Sequence, residues 1–173
     1  MDDDSQLAQA AARGDAAAFA ALVRLHEVKV RRFLARLSGG QDADDLAQEV
    51  FIKAWRMRGA WRGEGSYGGW LMRIAWTGFL SDRRSATRRQ ARDQQAYEPG
   101  EQRQAQQPEL RIDVADALAA LDERERAAAM LCFAEGYSHS EAAGIMDLPL
   151  GTLKSIVARA RARLVASLEM RND

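Results

Sequence analysis

Apolar residues recur at intervals of three and four along most of the chain, which is the period of an α-helix. No convincing stretch alternates between apolar and polar residues, and proline is scarce. The pattern therefore predicts an all-α fold. The predicted helices cover residues 5–13, 15–38, 43–58, 68–90, 110–120, 122–135, 138–146 and 150–168.

The segment from Arg89 to Pro108 interrupts this pattern. It is rich in glutamine, poor in apolar residues, and contains the helix breakers Pro99 and Gly100. A chain of 173 residues with 47% apolar residues can bury one ordinary core or two small ones, and this break favours two. We expect two small helical domains, at residues 5–90 and 111–170, joined by a flexible linker at residues 91–110.

One isoleucine lies off the apolar face of the predicted helix at 43–58. The apolar face is complete without it, because Ala43, Leu46, Ala47, Val50, Phe51, Ala54 and Trp55 follow the helical repeat. At about 100° per residue, Ile52 falls on the opposite side, among Asp45, Gln48 and Glu49. An apolar centre with a polar rim is typical of a protein interface, although a single exposed isoleucine alone proves nothing.

The formal net charge of zero hides a strong charge asymmetry. Residues 51–92 carry ten basic and two acidic groups, whereas residues 93–125 carry three basic and nine acidic groups. A solvated face can also be basic, but a block of this size favours a polyanionic partner, and nucleic acid in particular.

Aromatic residues lie inside this basic block. A glycine-rich loop leads into a helix whose predicted core face is Leu71, Ile74, Ala75 and Gly78, with Arg73, Trp76, Thr77, Leu80 and Arg84 pointing outward. Bases of single-stranded nucleic acid stack on exposed rings while guanidinium groups hold phosphate. The alternative is that Trp61, Trp70 and Trp76 are all core aromatics. We expect a core position for Trp70, and nucleic-acid contacts for Trp76 and the loop from Trp61 to Tyr67.

The stretch from Gly136 to Leu164 has the pattern of a helix-turn-helix. Ser138 and Glu141 predict a capping box, and Pro149 precedes a second helix. The predicted buried stripe of that helix is Leu150, Leu153, Val157, Ala160 and Leu164, and its far side is Gly151, Thr152, Ser155, Ala158 and Arg159. Small outward residues allow close approach to base edges, and Lys154, Arg159, Arg161 and Arg163 can contact phosphates or bases. A plain antiparallel helix pair is the alternative.

Other classes of function have little support in the sequence. The single cysteine, Cys132, and the two histidines, His26 and His139, predict neither an internal disulfide nor a metal site. Glu64 and Asp82 are isolated carboxylates rather than a paired acid and base. We expect no enzyme activity and no cofactor. The acidic start and the lack of a long apolar run predict a soluble cytoplasmic protein.

Three segments in this order resemble an extracytoplasmic-function (group IV) sigma factor of bacterial RNA polymerase. They are DADDLAQEVFIKAW, WRGEGSYGGWLMRIAW and LDERERAAAMLCFAEGYSHSEAAGIMDLPLGTLKSIVARARARL. The helix-turn-helix alone also ends many response regulators, so the ordered combination carries the resemblance. It implies a region 2 domain that binds the polymerase clamp and melts the minus-10 element, and a region 4 domain that reads the minus-35 element and contacts the polymerase flap.

The resemblance also implies roles for individual residues. Those expected to bind the β′ clamp are Asp45, Gln48 and Glu49, with Ile52 added from its position. Those expected at the minus-10 element are Trp61, Arg62, Tyr67, Arg73, Trp76, Thr77, Arg83 and Arg84. Those expected at the minus-35 element are Pro149, Gly151, Thr152, Lys154, Ser155, Arg159 and Arg161. The acidic segment 93–116 resembles the family's tether through the polymerase channel.

Three residues depart from the family pattern: Thr77, Ser81 and Ile156 stand where asparagine, aspartate and arginine are common. The first two affect the expected minus-10 preference, and the third affects the minus-35 contacts. The implied partners are core RNA polymerase, promoter DNA and an anti-sigma factor, with no small-molecule substrate. The alternative function is a helix-turn-helix regulator that binds duplex DNA without joining polymerase, which leaves the acidic helix and the aromatic stretch unexplained.

Overall fold

The computed structural model describes residues 3–40, 42–93 and 115–169. Its helices are α1 (Asp3–Ala12), α2 (Ala16–Ser38), α3 (Ala43–Arg56), α4 (Tyr67–Asp93), α5 (Glu123–Ala129), α6 (His139–Met146) and α7 (Leu150–Glu169). A π-helical turn, Met130–Ala134, extends α5, and residues 115–119 are also helical. None of the described residues lies in a strand, so the all-α prediction is confirmed. Most of the predicted linker lies outside the described residues, and so does part of the predicted helix at 110–120.

Helices α1, α3 and α4 pack around α2. The backbone N–H groups of Ala17 and Ala18 donate to the Asp15 carboxylate, which caps the start of α2. Gly39 ends the helix in the left-handed conformation, with φ of 72°. The buried side chains that join α2 to α3 and α4 are Leu22, Val30, Phe33, Leu34, Val50, Leu71, Ile74 and Ala75. This bundle fixes which faces of α3 and α4 remain outside.

The C-terminal part forms the predicted helix-turn-helix. Ser138 and Glu141 make the predicted capping box, and a second one joins Asp122 and Glu125. Asp147 ends α6 in the left-handed conformation, and α7 begins three residues later. This local geometry places α7 across the end of α6.

The buried stripe of α7 differs from the predicted one at two positions. Leu153, Val157 and Ala160 are buried as expected, but Ile156 is buried with them and Leu150 is 42% exposed. Because Ile156 belongs to the stripe, the buried face is rotated and Leu150 falls at its edge.

The two parts of the chain pack on each other. Their buried apolar residues form one continuous cluster in the described part of the chain, so the two predicted helical domains pack against each other. The contact forms where α6 and the loop before it lie against the start of α4. A Cβ atom placed on Gly69 would lie 3.8 Å from the Tyr137 ring and 4.0 Å from Ile145 Cδ1. These are ordinary van der Waals distances, whereas a Cβ atom placed on Gly68 would lie 3.3 Å from the Tyr137 hydroxyl oxygen, so it is glycine at position 68 that allows the closest approach of the two parts.

Candidate protein and nucleic-acid interfaces

The outer face of α3 carries the apolar centre and polar rim predicted from the sequence. Ile52 is 43% exposed, and Asp45, Gln48 and Glu49 are exposed around it. The opposite face is buried through Ala43, Ala47, Val50 and Ala54. Ile52 also borders an open groove between α3 and α4 whose lining includes Phe79 and Asp82. We call Ile52 and its three polar neighbours the docking face.

The loop before α4 is anchored by an aromatic cluster. Tyr67, the first residue of α4, is buried, with its ring centroid 5.7 Å from Trp61 and 5.3 Å from Trp70. Burial, with a further contribution from Asp4, raises the pKa of Tyr67 to about 12. The expectation that Tyr67 is presented to DNA is therefore wrong in this conformation, and Trp70, expected in the core, is half-buried and packs against the core from its edge. Arg62 remains exposed in the loop.

The basic face of α4 is partly exposed and partly covered. Arg73, Thr77, Arg83 and Arg84 are exposed as predicted, and the Thr77 hydroxyl donates to the Arg73 carbonyl at 2.8 Å. Trp76, predicted to point outward, is only 2% exposed, so that prediction is wrong. The helical repeat puts Trp76 on the same side of α4 as Arg73, and Arg73 pairs with Asp147, so the C-terminal part of the chain packs over this side.

All seven residues predicted to contact the minus-35 element are exposed on or beside α7. They are Pro149, Gly151, Thr152, Lys154, Ser155, Arg159 and Arg161. Arg159 and Arg163 lie on the flank beside α5, where their guanidinium groups are 3.5 Å and 2.6 Å from the buried Glu125 carboxylate. Because Ile156 is buried, its departure from the family pattern changes the packing of α7 rather than its outer surface.

Several polar contacts between the two parts of the chain were not predicted. Arg32 of α2 donates to Glu135, and Arg126 donates to the carbonyl oxygens of Arg36 and Leu37. Burial lowers the pKa of the Arg126 guanidinium. These partners are about ninety or more positions apart, so no helical repeat links them.

Comparison with known proteins identifies the family. Residues 22–89 match the model of Sigma-70 region 2, and residues 111–164 match that of Sigma-70 region 4. The chain is 36% identical to the ECF RNA polymerase sigma factor SigM of Mycobacterium tuberculosis, over 95% of this chain and 84% of that protein. The chain belongs to the ECF sigma factors. The family inferred from the three ordered segments is thus confirmed.

Two solved sigma factors resemble this ECF sigma factor along most of their length. One is RpoE in complex with the anti-sigma factor NepR from Bartonella quintana, with a TM-score of 0.75 and 30% identity over 87% of this chain and 96% of that one. The other is CnrH in complex with the cytosolic domain of CnrY, with a TM-score of 0.71 and 30% identity over 98% and 99%.

The described residues contain neither a metal-binding cluster nor a membrane-spanning helix. No group of three or more histidine, cysteine, aspartate or glutamate side chains in the described ranges could hold a metal ion. Within the same ranges, no helix is both long and apolar enough to cross a membrane.

Proposed function

We propose that this ECF sigma factor is a dissociable initiation subunit that joins core RNA polymerase and directs it to specific promoters. It supplies no chemistry of its own. The observation that carries the proposal is that one chain combines region 2, with its exposed docking face, and region 4, with its exposed α7 surface. A regulator that only bound duplex DNA would have no use for the docking face.

The docking face fits a protein partner better than solvent. Ile52 supplies exposed apolar area, and the surrounding carboxylates of Asp45 and Glu49 supply charge that orients a basic partner surface. We assign this face to the clamp of the polymerase β′ subunit.

The minus-10 surface combines arginines with the loop before α4. Arg62, Arg73, Arg83 and Arg84 are exposed on one side of the N-terminal domain, where they can hold the phosphates of a melted strand. Trp61 precedes Arg62 in the loop and is half-buried beside Tyr67, so the exposed part of its ring lies next to that arginine. Thr77 lies on the same helix as three of these arginines, and its hydroxyl donates a hydrogen bond to the backbone carbonyl of Arg73.

The minus-35 surface is the outer side of α7. Gly151 and Ser155 give a shallow centre that can approach base edges, while Lys154 and Arg161 line one flank and Arg159 lines the other. The free N–H groups at the start of α7 add an anion-binding end for a DNA phosphate. This arrangement is suited to reading one major groove.

Two further assignments belong to the proposal. We assign an anti-sigma partner, supported by the likeness to RpoE and CnrH, each solved with such a partner. We also assign the protein to the cytoplasm, where polymerase acts on DNA. The two domains span residues 5–90 and 111–170, with the linker between them.

Transcription in a purified system tests the proposal. Core polymerase from the native host is incubated with genomic DNA fragments, with and without the protein, and the 5′ ends of the transcripts are sequenced. The proposal requires new, discrete start sites that share upstream sequence elements. Binding to duplex fragments with no new start sites would instead support the duplex-binding regulator.

A further inference from the structure

The buried carboxylate of Glu125 lies against the flank of α7 that carries Arg159. We propose that Glu125 is a positioning residue for the minus-35 surface: it holds the Arg159 guanidinium in place, so that this arginine reads a base rather than a phosphate. The inference rests on the proposed function and deepens it, because it assigns sequence discrimination to a buried residue that does not touch DNA.

The Glu125 carboxylate is a fixed point in the structure. The residue is 3% exposed, and its backbone N–H donates to the Asp122 carboxylate at 2.8 Å. Its Oε2 accepts from the Asp122 backbone N–H at 3.3 Å and from the Arg163 guanidinium at 2.6 Å. The other oxygen, Oε1, faces Arg159. Because the carboxylate is buried and held from two sides, it cannot follow a moving arginine.

Arg159 is anchored at one end and open at the other. Its Nε lies 3.5 Å from Glu125 Oε1, and its side chain is 62% exposed. Thr152, Ser155 and Arg159 recur at intervals of three and four, so Arg159 shares the outer face of α7 with two small residues. An unanchored arginine loses rotamer freedom when it binds. An arginine held at Nε keeps its terminal nitrogens for the O6 and N7 acceptors of a guanine, the commonest specific contact in the major groove.

The other basic side chains of this DNA surface are not anchored in the same way. In the described part of the chain, no ion pair joins Lys154 or Arg161 to an acidic side chain. Both are exposed and can follow the phosphates of any duplex. Arg159 is therefore the basic residue of the surface that the fold itself orients.

The charge of Glu125 opposes DNA binding in general. A negative charge beside a DNA surface repels phosphates, and this carboxylate offsets one of the two guanidinium charges on its flank. Affinity alone would be greater without it. The carboxylate lowers the affinity for every duplex and, by orienting Arg159, raises the difference between the right and the wrong sequence. The alternative is that Glu125 only caps α5 and pairs with Arg163, which involves neither Arg159 nor DNA.

Glu125→Gln in the full-length protein separates these roles. Glutamine keeps the length of the side chain and the capping-box hydrogen bond, but it removes the charge that holds Arg159. The probes are a duplex that the wild-type protein enriches from a random-sequence pool and a scrambled duplex of the same composition, with affinities measured by fluorescence anisotropy. We expect tighter binding to the scrambled duplex. The ratio of the two affinities should fall by about tenfold, which is the discrimination that one oriented arginine–guanine pair supplies.

The alternative roles predict different results. If Glu125 only stabilises the fold, the variant binds both duplexes more weakly and the affinity ratio is unchanged. If only its charge matters, the variant binds both duplexes more tightly by the same factor. Either result overturns the inference, and so does a wild-type protein that enriches no duplex sequence. Glu169→Gln is the matched control, because it removes an exposed charge from α7, and it should leave the ratio unchanged.

The Arg159→Ala background provides the second arm of the test, because a positioning residue acts through the residue that it holds. Adding Glu125→Gln to Arg159→Ala should leave the affinity ratio unchanged, and a further tenfold fall would contradict the inference.

Circular dichroism shows whether the variants are folded, and Glu125→Asp replaces Glu125→Gln if that variant is not. Aspartate keeps the charge but withdraws the carboxylate by one methylene, so it should lower the ratio without tighter binding to the scrambled duplex; an unchanged ratio would overturn the inference. The transcription assay is run in parallel. New start sites with an unchanged ratio refute the positioning role alone, and a lowered ratio with no new start sites refutes the proposed function alone.

Discussion

Replacing Ile52 with glutamate tests the docking face at its apolar centre. Ile52 is 43% exposed, so a partner has less than half of the residue left to cover. Complete burial of an isoleucine side chain contributes roughly 1.5–3 kcal/mol, so covering the exposed part contributes about 1 kcal/mol. Ile52→Ala should therefore weaken binding to core polymerase by about fivefold, since about 1.4 kcal/mol corresponds to tenfold.

Ile52→Glu should have a much larger effect than the alanine variant. The new carboxylate would be buried under the partner, next to Asp45 and Glu49, with no positive charge in place. An uncompensated buried charge costs about 3–5 kcal/mol, so the affinity should fall by at least about 100-fold. Because position 52 faces outward in the free protein, the fold should survive.

Competition binding to core polymerase measures this loss, with a labelled wild-type sigma factor as the tracer. Val28→Glu is the matched control, because Val28 is a β-branched residue on α2 that is 55% exposed and lies outside the docking face. Thermal denaturation shows whether both variants are folded. If folded Ile52→Glu competes as well as Val28→Glu and the wild-type protein, the docking face is not where polymerase binds.

Four other substitutions have defined expectations. Arg159→Ala should weaken binding to a minus-35 duplex by roughly 1–3 kcal/mol if Arg159 reads a base. If Arg159 only contacts phosphate, the substitution should instead reduce the slope of log affinity against log salt concentration by about one. Unchanged affinity and slope would remove Arg159 from the interface. Trp76→Ala should lower the free energy of unfolding in urea by about 3–5 kcal/mol, because Trp76 is buried; a loss below about 1 kcal/mol would contradict that burial. Ser138→Ala should cost about 1 kcal/mol through loss of the N-cap, and equal stability would show that the capping box is dispensable. Hydrogen bonds with Ser138 hold the pKa of Glu141 below its ordinary value of 4.5. The ionised Glu141 carboxylate therefore stabilises the fold above pH 4.5, and this contribution is lost as the pH falls. Glu141→Gln should reduce the loss of unfolding free energy at acid pH, and an unchanged acid dependence would contradict this.

The helices could be predicted from the sequence because their signals are local. The apolar repeat placed α2, α3, α6 and α7 closely, and the Ser138–Glu141 spacing gave the capping box. The outward position of Ile52 followed from the same repeat.

The burial of Trp76 and Tyr67 could not be predicted in the same way. The helical repeat places Trp76 off the predicted core face of its own domain, yet the residue is buried. Region 4 packs on the same side of α4, through contacts such as Arg73–Asp147 that join residues 74 positions apart. Tyr67 was expected in an open loop because glycines precede it, but it begins α4 and packs on Trp61 and Trp70. Contacts between distant segments leave no period in the sequence.

Promoter melting tests the central claim most directly, because it requires polymerase binding and DNA reading by the same chain. A promoter selected in the transcription assay is treated with permanganate, which oxidises unpaired thymines, in the presence of core polymerase, of this protein, or of both. The account predicts reactive thymines in the minus-10 element only when both are present, and none with Ile52→Glu. Unreactive thymines with both proteins present, on a duplex that this protein demonstrably binds, would contradict it.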